Sequence, residues 1–357
     1  MKGFHLFNII RTALALLLSF VLNTVSFSQN LFEETELMYN NSFNKLSQII
    51  NDDGSFLNAV LTTEGAYNND TSFFTETKNA ISLLGEYVNY FYPKISCKGY
   101  YFKDSTEYKL NNCVFNVITD TTYLQIDTLS FVYLPFTYSF TDPFGQKDWS
   151  NNFVTKLLAT HEGNCHNLAY LYKILADEVG AKCWLALAPG HIYIKNYSEK
   201  IGWYNTELTS GTFPTDAWVM VSGYVNPQAM KSGMYMDTLS NRQAIALCVL
   251  DLAKGYEFQT HNYYDGFILK CCDLVLQYHP VNPIALLLKA ETLKKVFIKE
   301  QKDKYPKPTT TFTLMQEAYA ALAKLGYREM PEEMYKRWLI EMTEEKNIYQ
   351  NKQLQEK

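Results

Sequence analysis

GNCHNLAYLYKILADEVG, residues 163–180, is a helix with both ends written into the chain, and it limits what its neighbours can become. Leu168, Ala169, Tyr172, Leu175, Ala176 and Val179 recur at three- and four-residue spacing and predict one apolar face. Gly180 supplies the stop. At the other end Gly163 stands two residues before Cys165, where a polar loop becomes amphipathic. This start puts a thiol at a helix N-terminus, where backbone N–H groups and the dipole favour negative charge. The apolar face must be covered, and the tract that follows, AKCWLALAPGHIYIK and then GWYNTELTS, reads as strands.

Thr160 to Ile194 holds three of the six histidines and two of the seven cysteines. A free thiol titrates near 8.5 and is only a few per cent ionised at pH ~7, so the predicted helix start supplies what a nucleophile lacks. His191 lies beyond the helix and beyond Pro189-Gly190. On a strand it shares a face with Tyr193 and Lys195, while Ile192 and Ile194 face the core, which predicts a half-exposed imidazole. Trp203, Asn205 and Glu207 share one face of the next strand. Two adjacent antiparallel strands bring Asn205 or Glu207 beside His191, where either can hold the imidazole in the tautomer a nucleophile needs. The competing readings are a buried structural thiol and a zinc site built from His161, Cys165, His166 and His191. Gly163 interrupts the helix that an H-E-x-x-H site requires, and two separate ligand pairs are not apparent. No metal and no cofactor is therefore expected. His161 and His166 read as loop and surface residues, and Cys183 as packing or a disulfide partner.

A helix start with Gly163, Cys165 and Ala169, then HIYI on a strand, then GWYNTELT on the next, resembles the core of the transglutaminase-like superfamily, relatives of papain-type cysteine enzymes. The resemblance is best from about Asp148 to Tyr224. More narrowly it is similar to a bacterial group that joins such a core to tetratricopeptide-like helices. It implies an α+β fold, a papain-like core with an antiparallel sheet packed on the nucleophile helix, plus an α-helical C-terminal domain. It also implies Cys165 as nucleophile, His191 as general base and acid, and Glu207 at the position relatives fill with aspartate. Relatives usually read D-P-T where this chain has Glu207-Leu208-Thr209, so Asn205 remains the alternative, as papain-type enzymes use asparagine. Relatives often add a side-chain oxyanion donor from upstream; Trp149 and Gln146 are the candidates here.

Four segments are expected: 1–28, 29–94, 95–226 and 227–357. The first reads as a signal peptide, with Lys2 and Arg11 before the apolar run Thr12–Leu22 and with Ser26 and Ser28 spaced like a cleavage site. That run is shorter than the ~20 residues a bilayer span needs. The expectation is an exported protein, periplasmic or extracellular, with no stable membrane span after signal removal. Residues 29–94 carry helical spacing in NKLSQII and TETKNAISLLGEYVNYFY. From Ile95 the pattern reads as period two, with a hairpin between Cys97 and Cys113 that a disulfide can close. LSFVYLPFTYSF follows as a strand that Pro135 confines to an edge or a bulge. The last segment is helical again. FILKCCDLVLQYHPVNPIALLLKAETLKKVF reads as a helix, a Pro/Asn turn and a second helix, similar to a single tetratricopeptide repeat.

A net charge of -5 with no dense Lys/Arg run provides no field for a polyanion, so nucleic acid is not an expected partner. The functional expectation is acyl transfer or hydrolysis at amide bonds of a peptide or protein substrate. The alternative is an idle core whose helical domain binds a protein partner.

Overall fold

The computed structural model describes residues 33–97, 99–126, 129–302 and 309–344. The predicted signal peptide lies outside them, as do residues 345–357. The architecture is mixed, dominated by helices with small sheets among them, which is compatible with an α+β class.

Three helices open the described chain: α1 (33–51), α2 (Phe56–Asn68) and α3 (Phe74–Phe91). Ser55 caps α2 by accepting the N–H of Asn58, and Asn69 closes it in the left-handed conformation. The next element departs from the sequence expectation. In place of a hairpin, residues Ser105–Thr119 form a helix, α4, and no disulfide links Cys97 to Cys113. The reason is packing: Asn111, Cys113, Val114, Val117 and Ile118 are buried at helical spacing, which outweighs the strand-like aromatics before them.

LSFVYLPFTYSF is also divided. β2 (Leu129–Tyr133) pairs antiparallel with β1 (Thr122–Ile126), whereas β3 (Thr137–Tyr138) pairs parallel with β4 (Glu162–Gly163). Pro135 cannot donate to a ladder, and the strand breaks around it. Val132, Leu134 and Phe140 consequently stay exposed while Phe136 is buried.

The short helix α5 (Val154–Thr160) leads through β4 into α6 (Cys165–Glu178). α6 packs on the three-stranded antiparallel sheet β5 (Trp184–Ala188), β6 (His191–Ser198) and β7 (Gly202–Thr206), with β6 in the middle. Gly180, at φ +74°, makes the turn between α6 and the sheet.

The remaining helices are α7 (Asp216–Ser222), α8 (Pro227–Lys231), α9 (Asn241–Thr260), α10 (Phe267–Tyr278), α11 (Pro283–Lys302), α12 (Thr310–Leu325) and α13 (Glu332–Glu344). The HPVNP turn between α10 and α11 is read directly: Asn282 Oδ1 accepts the N–H groups of Ile284 and Ala285, and Pro283 takes the first helical position. His279 is buried beside Asn282, and burial holds its pKa down to about 4, so it packs as a neutral ring. α9 and α10 do not form a separate core. Tyr39 of α1 meets Tyr256 and Phe267 edge-on at 5.1 and 5.8 Å, and one continuous buried cluster runs from α1 through α6 and the sheet to α11.

Candidate active site

Asn164 sets the start of α6. Its Oδ1 accepts the N–H groups of His166 and Asn167, and the Asn167 side chain accepts the Asn164 N–H in return. Asn164 Nδ2 reaches Asn152 Oδ1 at 2.7 Å and the Pro143 carbonyl, tying the loop before α5 to the same corner. Cys165 is the first helical residue, so its own N–H has no intrahelical acceptor. Gly163 is required by close approach: an added Cβ would sit 2.2 Å from Asn167 Oδ1 and 2.7 Å from Leu157 Cδ1.

β6 delivers His191 to this helix mouth. The imidazole is buried, at 6% exposure, where the strand pattern predicted a half-exposed ring. Both faces of β6 are covered, which the period-two reading did not anticipate. His191 Nε2 meets Glu207 Oε2 at 2.6 Å, and Glu207 Oε1 accepts the Thr209 N–H. Nε2 therefore donates to the carboxylate, and Nδ1, also buried, is the nitrogen left for the Cys165 thiol. Asn205 lies elsewhere: paired opposite Lys195, it donates to the Pro214 carbonyl and to Asp216. Of the two residues that strand alternation offered, Glu207 is the one beside the imidazole.

Electrostatics separates this thiol from the others. Burial pushes Cys183, Cys248, Cys271 and Cys272 up. Burial acts on Cys165 in the same sense, but the neighbouring His191 charge, with the Ile192 N–H, outweighs it and lowers the pKa below the usual thiol value. His191 is the counterpart. Burial alone would lower it, yet the charges of Glu207 and Cys165 and its bond to Glu207 raise it to about 10. The arrangement favours a thiolate and imidazolium held as one unit.

Of the upstream donors expected from the resemblance, the Trp149 indole nitrogen lies against Gly255 of α9 with no hydrogen-bond acceptor, and Gln146, its backbone N–H bound by Asp142, borders the same cleft as Tyr335. The hydroxyls that feel the Cys165 charge belong to Tyr138 on β3 and Tyr335 on α13; burial first, then that charge, raises both. His166, expected on the surface, is half-buried. It pairs with Asp251 of α9 at 3.1 Å, and Asp251 also accepts the Tyr170 hydroxyl. His161 caps α5 in the left-handed conformation, its ring stacked on Phe136 at 4.6 Å. Among the described residues no group of three or more His, Cys, Asp or Glu side chains is arranged to hold a metal ion.

The sequence reading took residues 227–357 as helical but gave α13 no part in the site. Tyr335 and Trp338, three residues apart on one helical face, are 2% and 3% exposed. Trp338 stands edge-on to the His191 ring at 4.5 Å, and its indole N–H donates to Ser222 Oγ at 3.1 Å. Tyr335 packs on Phe144 at 4.4 Å. Two aromatics at i and i+3 within the charged run EEMYKRW were the available signal. Alongside runs a cleft of about 650 Å³, bordered by Gln146, Pro189, Gly190, Arg328 and Tyr335.

Comparison of the chain with protein-family models, with curated proteins and with solved structures returns no match. No helix among the described residues is long and apolar enough to cross a membrane.

Proposed function

We propose that this chain is an exported cysteine enzyme of transglutaminase-like type that cleaves or transfers acyl groups at amide bonds of a peptide or protein. The observation that carries the reading is the ordered set at the start of α6: a thiol lowered against its burial, an imidazole beside it, and a carboxylate 2.6 Å from the imidazole's far nitrogen. In the reaction the Cys165 thiolate attacks the carbonyl carbon and forms the C–S bond. The imidazolium of His191 gives a proton to the departing amine as the C–N bond breaks, leaving a thioester. His191 then removes a proton from water, or from an acceptor amine, as that group displaces the thiolate. The Cys165 N–H, first in the helix and with no acceptor of its own there, is the backbone donor available for the oxyanion. Glu207 accepts the Nε2–H and holds the ring.

Ultraviolet thiolate absorbance, recorded as the difference between the parent protein and Cys165→Ser over a pH series, tests the core of this reading without needing a substrate. The thiolate is expected well below pH ~8.5, and its midpoint should move up in His191→Ala. A midpoint at or above ~8.5 in the parent protein would overturn the reading. A panel of peptide and cell-wall amides, with Cys165→Ala as control, then identifies the acyl donor.

A further inference from the structure

The site just described is nearly closed. Cys165 and His191 are 8% and 6% exposed, the Trp338 ring stands edge-on to the imidazole at 4.5 Å, and Tyr335 is buried on the same face of α13, so a seated α13 obstructs the approach to the pair. We infer that α13 is a removable lid, and that the surface beneath it, made by Tyr138, Phe144, Trp218 and Ser222 around the Cys165–His191 pair, is a binding site for this chain's own C-terminal helix. The inference rests on the reading of Cys165 as a nucleophile, and the two can fail separately.

Three features make α13 separable from the core. Tyr335 and Trp338 form a small cluster with Tyr138, Phe144, Trp218 and Met330, joined to the continuous core below through Tyr138 and Trp218. The opposite side of α13 is open, with Met334 and Ile340 exposed, so the helix is held from one side. The segment that leads into it, residues 327–331, has neither helical nor strand pairing, and Tyr327, Arg328 and Met330 border the open cleft. Two buried aromatics on an otherwise charged helix are a modest anchor, of the size local opening can release without unfolding the rest. Substrate binding and lid seating are then mutually exclusive, because both need the space at the sulfur. The resting protein is shielded, and turnover requires the helix to be displaced, by substrate or by a partner that captures α13.

Alkylation of Cys165 by iodoacetamide, read by peptide mapping in the full chain, tests this. Tyr335→Ala combined with Trp338→Ala should speed labelling of Cys165 by about tenfold or more, the factor by which ~1.4 kcal/mol shifts an opening equilibrium. Met334→Ala, on the exposed side, should leave the rate unchanged. A synthetic peptide of residues 327–344 added to the double variant should restore protection. Equal labelling of the parent and double-variant proteins overturns the lid. Hydrogen exchange of the unsubstituted chain gives a second reading that needs no variant. α13 amides should exchange through a local opening well before those of α6; exchange of both only on global unfolding also overturns the lid. Fast labelling in the double variant with an ordinary thiol pH midpoint sustains the lid and removes the acyl-transfer reading.

Discussion

His191 Nε2 and Glu207 Oε2 lie 2.6 Å apart although the two residues are not directly opposite in the β6–β7 ladder. The register pairs Ile194 with Thr206 and Lys195 with Asn205, so Glu207 continues past the last ladder pair of β7 and reaches His191 diagonally on the same face. Its backbone is fixed there by paired hydrogen bonds with Thr212. The carboxylate is thus held by backbone on one side and imidazole on the other, which makes it a rigid partner.

Glu207→Gln keeps the shape and an acceptor for Nε2–H but removes the charge that most opposes burial at His191. The imidazole midpoint should fall from about 10, as read by NMR titration. On the proposed acyl-transfer reading, turnover should drop by about 10²-fold or more. Glu207→Ala leaves the buried imidazolium with Cys165 as its one remaining charged neighbour and should destabilise by less than the ~3–5 kcal/mol of a fully unpaired buried charge.

Gly163→Ala should destabilise by about 1–3 kcal/mol in denaturant unfolding, because the new Cβ displaces the Asn167 side chain that completes the cap of α6. At Gly180, where the added Cβ meets nothing within 4 Å, the same substitution is opposed by backbone conformation alone.

Asn164→Ala removes the acceptor for two helix N–H groups and the donor to Asn152. The cap alone is worth ~1–2 kcal/mol. Asn164→Ser, which can still cap, should recover part of that loss. The Cys165 thiol midpoint should rise in Asn164→Ala more than in Asn164→Ser, since the sulfur depends on the position of the helix start.

Stability should decline toward alkaline pH in two steps. Glu64 is buried and caps α5 by accepting the N–H groups of Val154 and Thr155, and burial raises its pKa from 4.5 to about 7. A group raised on folding stabilises fully below its unfolded value and loses that contribution as pH passes its folded value, so Glu64 acts between 4.5 and about 7. His191, raised from 6.5 to about 10, follows the same sign over that higher window. Thermal unfolding across pH should show both limbs. Glu64→Gln should flatten the lower limb and His191→Gln the upper.

The helix of residues 163–180 was legible because its stripe, its stop and its start each carry a separate local signal. The order of Cys165, His191 and Glu207 along the chain was legible for the same reason, and strand alternation narrowed the third position to two residues. Depth was not. His191 and Lys195 read as one half-solvated face, but that face is covered by elements far away in sequence, and no local pattern reports them. α4 was missed because its aromatic and polar residues suit either period, and only packing against α3 and α6 selects the helix. Pairing between β3 and β4, 25 residues apart at Thr137 and Glu162, is likewise invisible to neighbour-based reading.

The bond between His166 and Asp251 crosses a point where the chain might be thought divisible. So do the N–H groups of Met236 and Leu239, which complete the outer edge of β5 through the carbonyls of Leu187 and Leu185. A fragment ending near residue 226 would lose both, leaving a raw sheet margin and a stranded imidazole one residue from the sulfur. Anyone trimming this protein to its smallest working piece must carry α9 along.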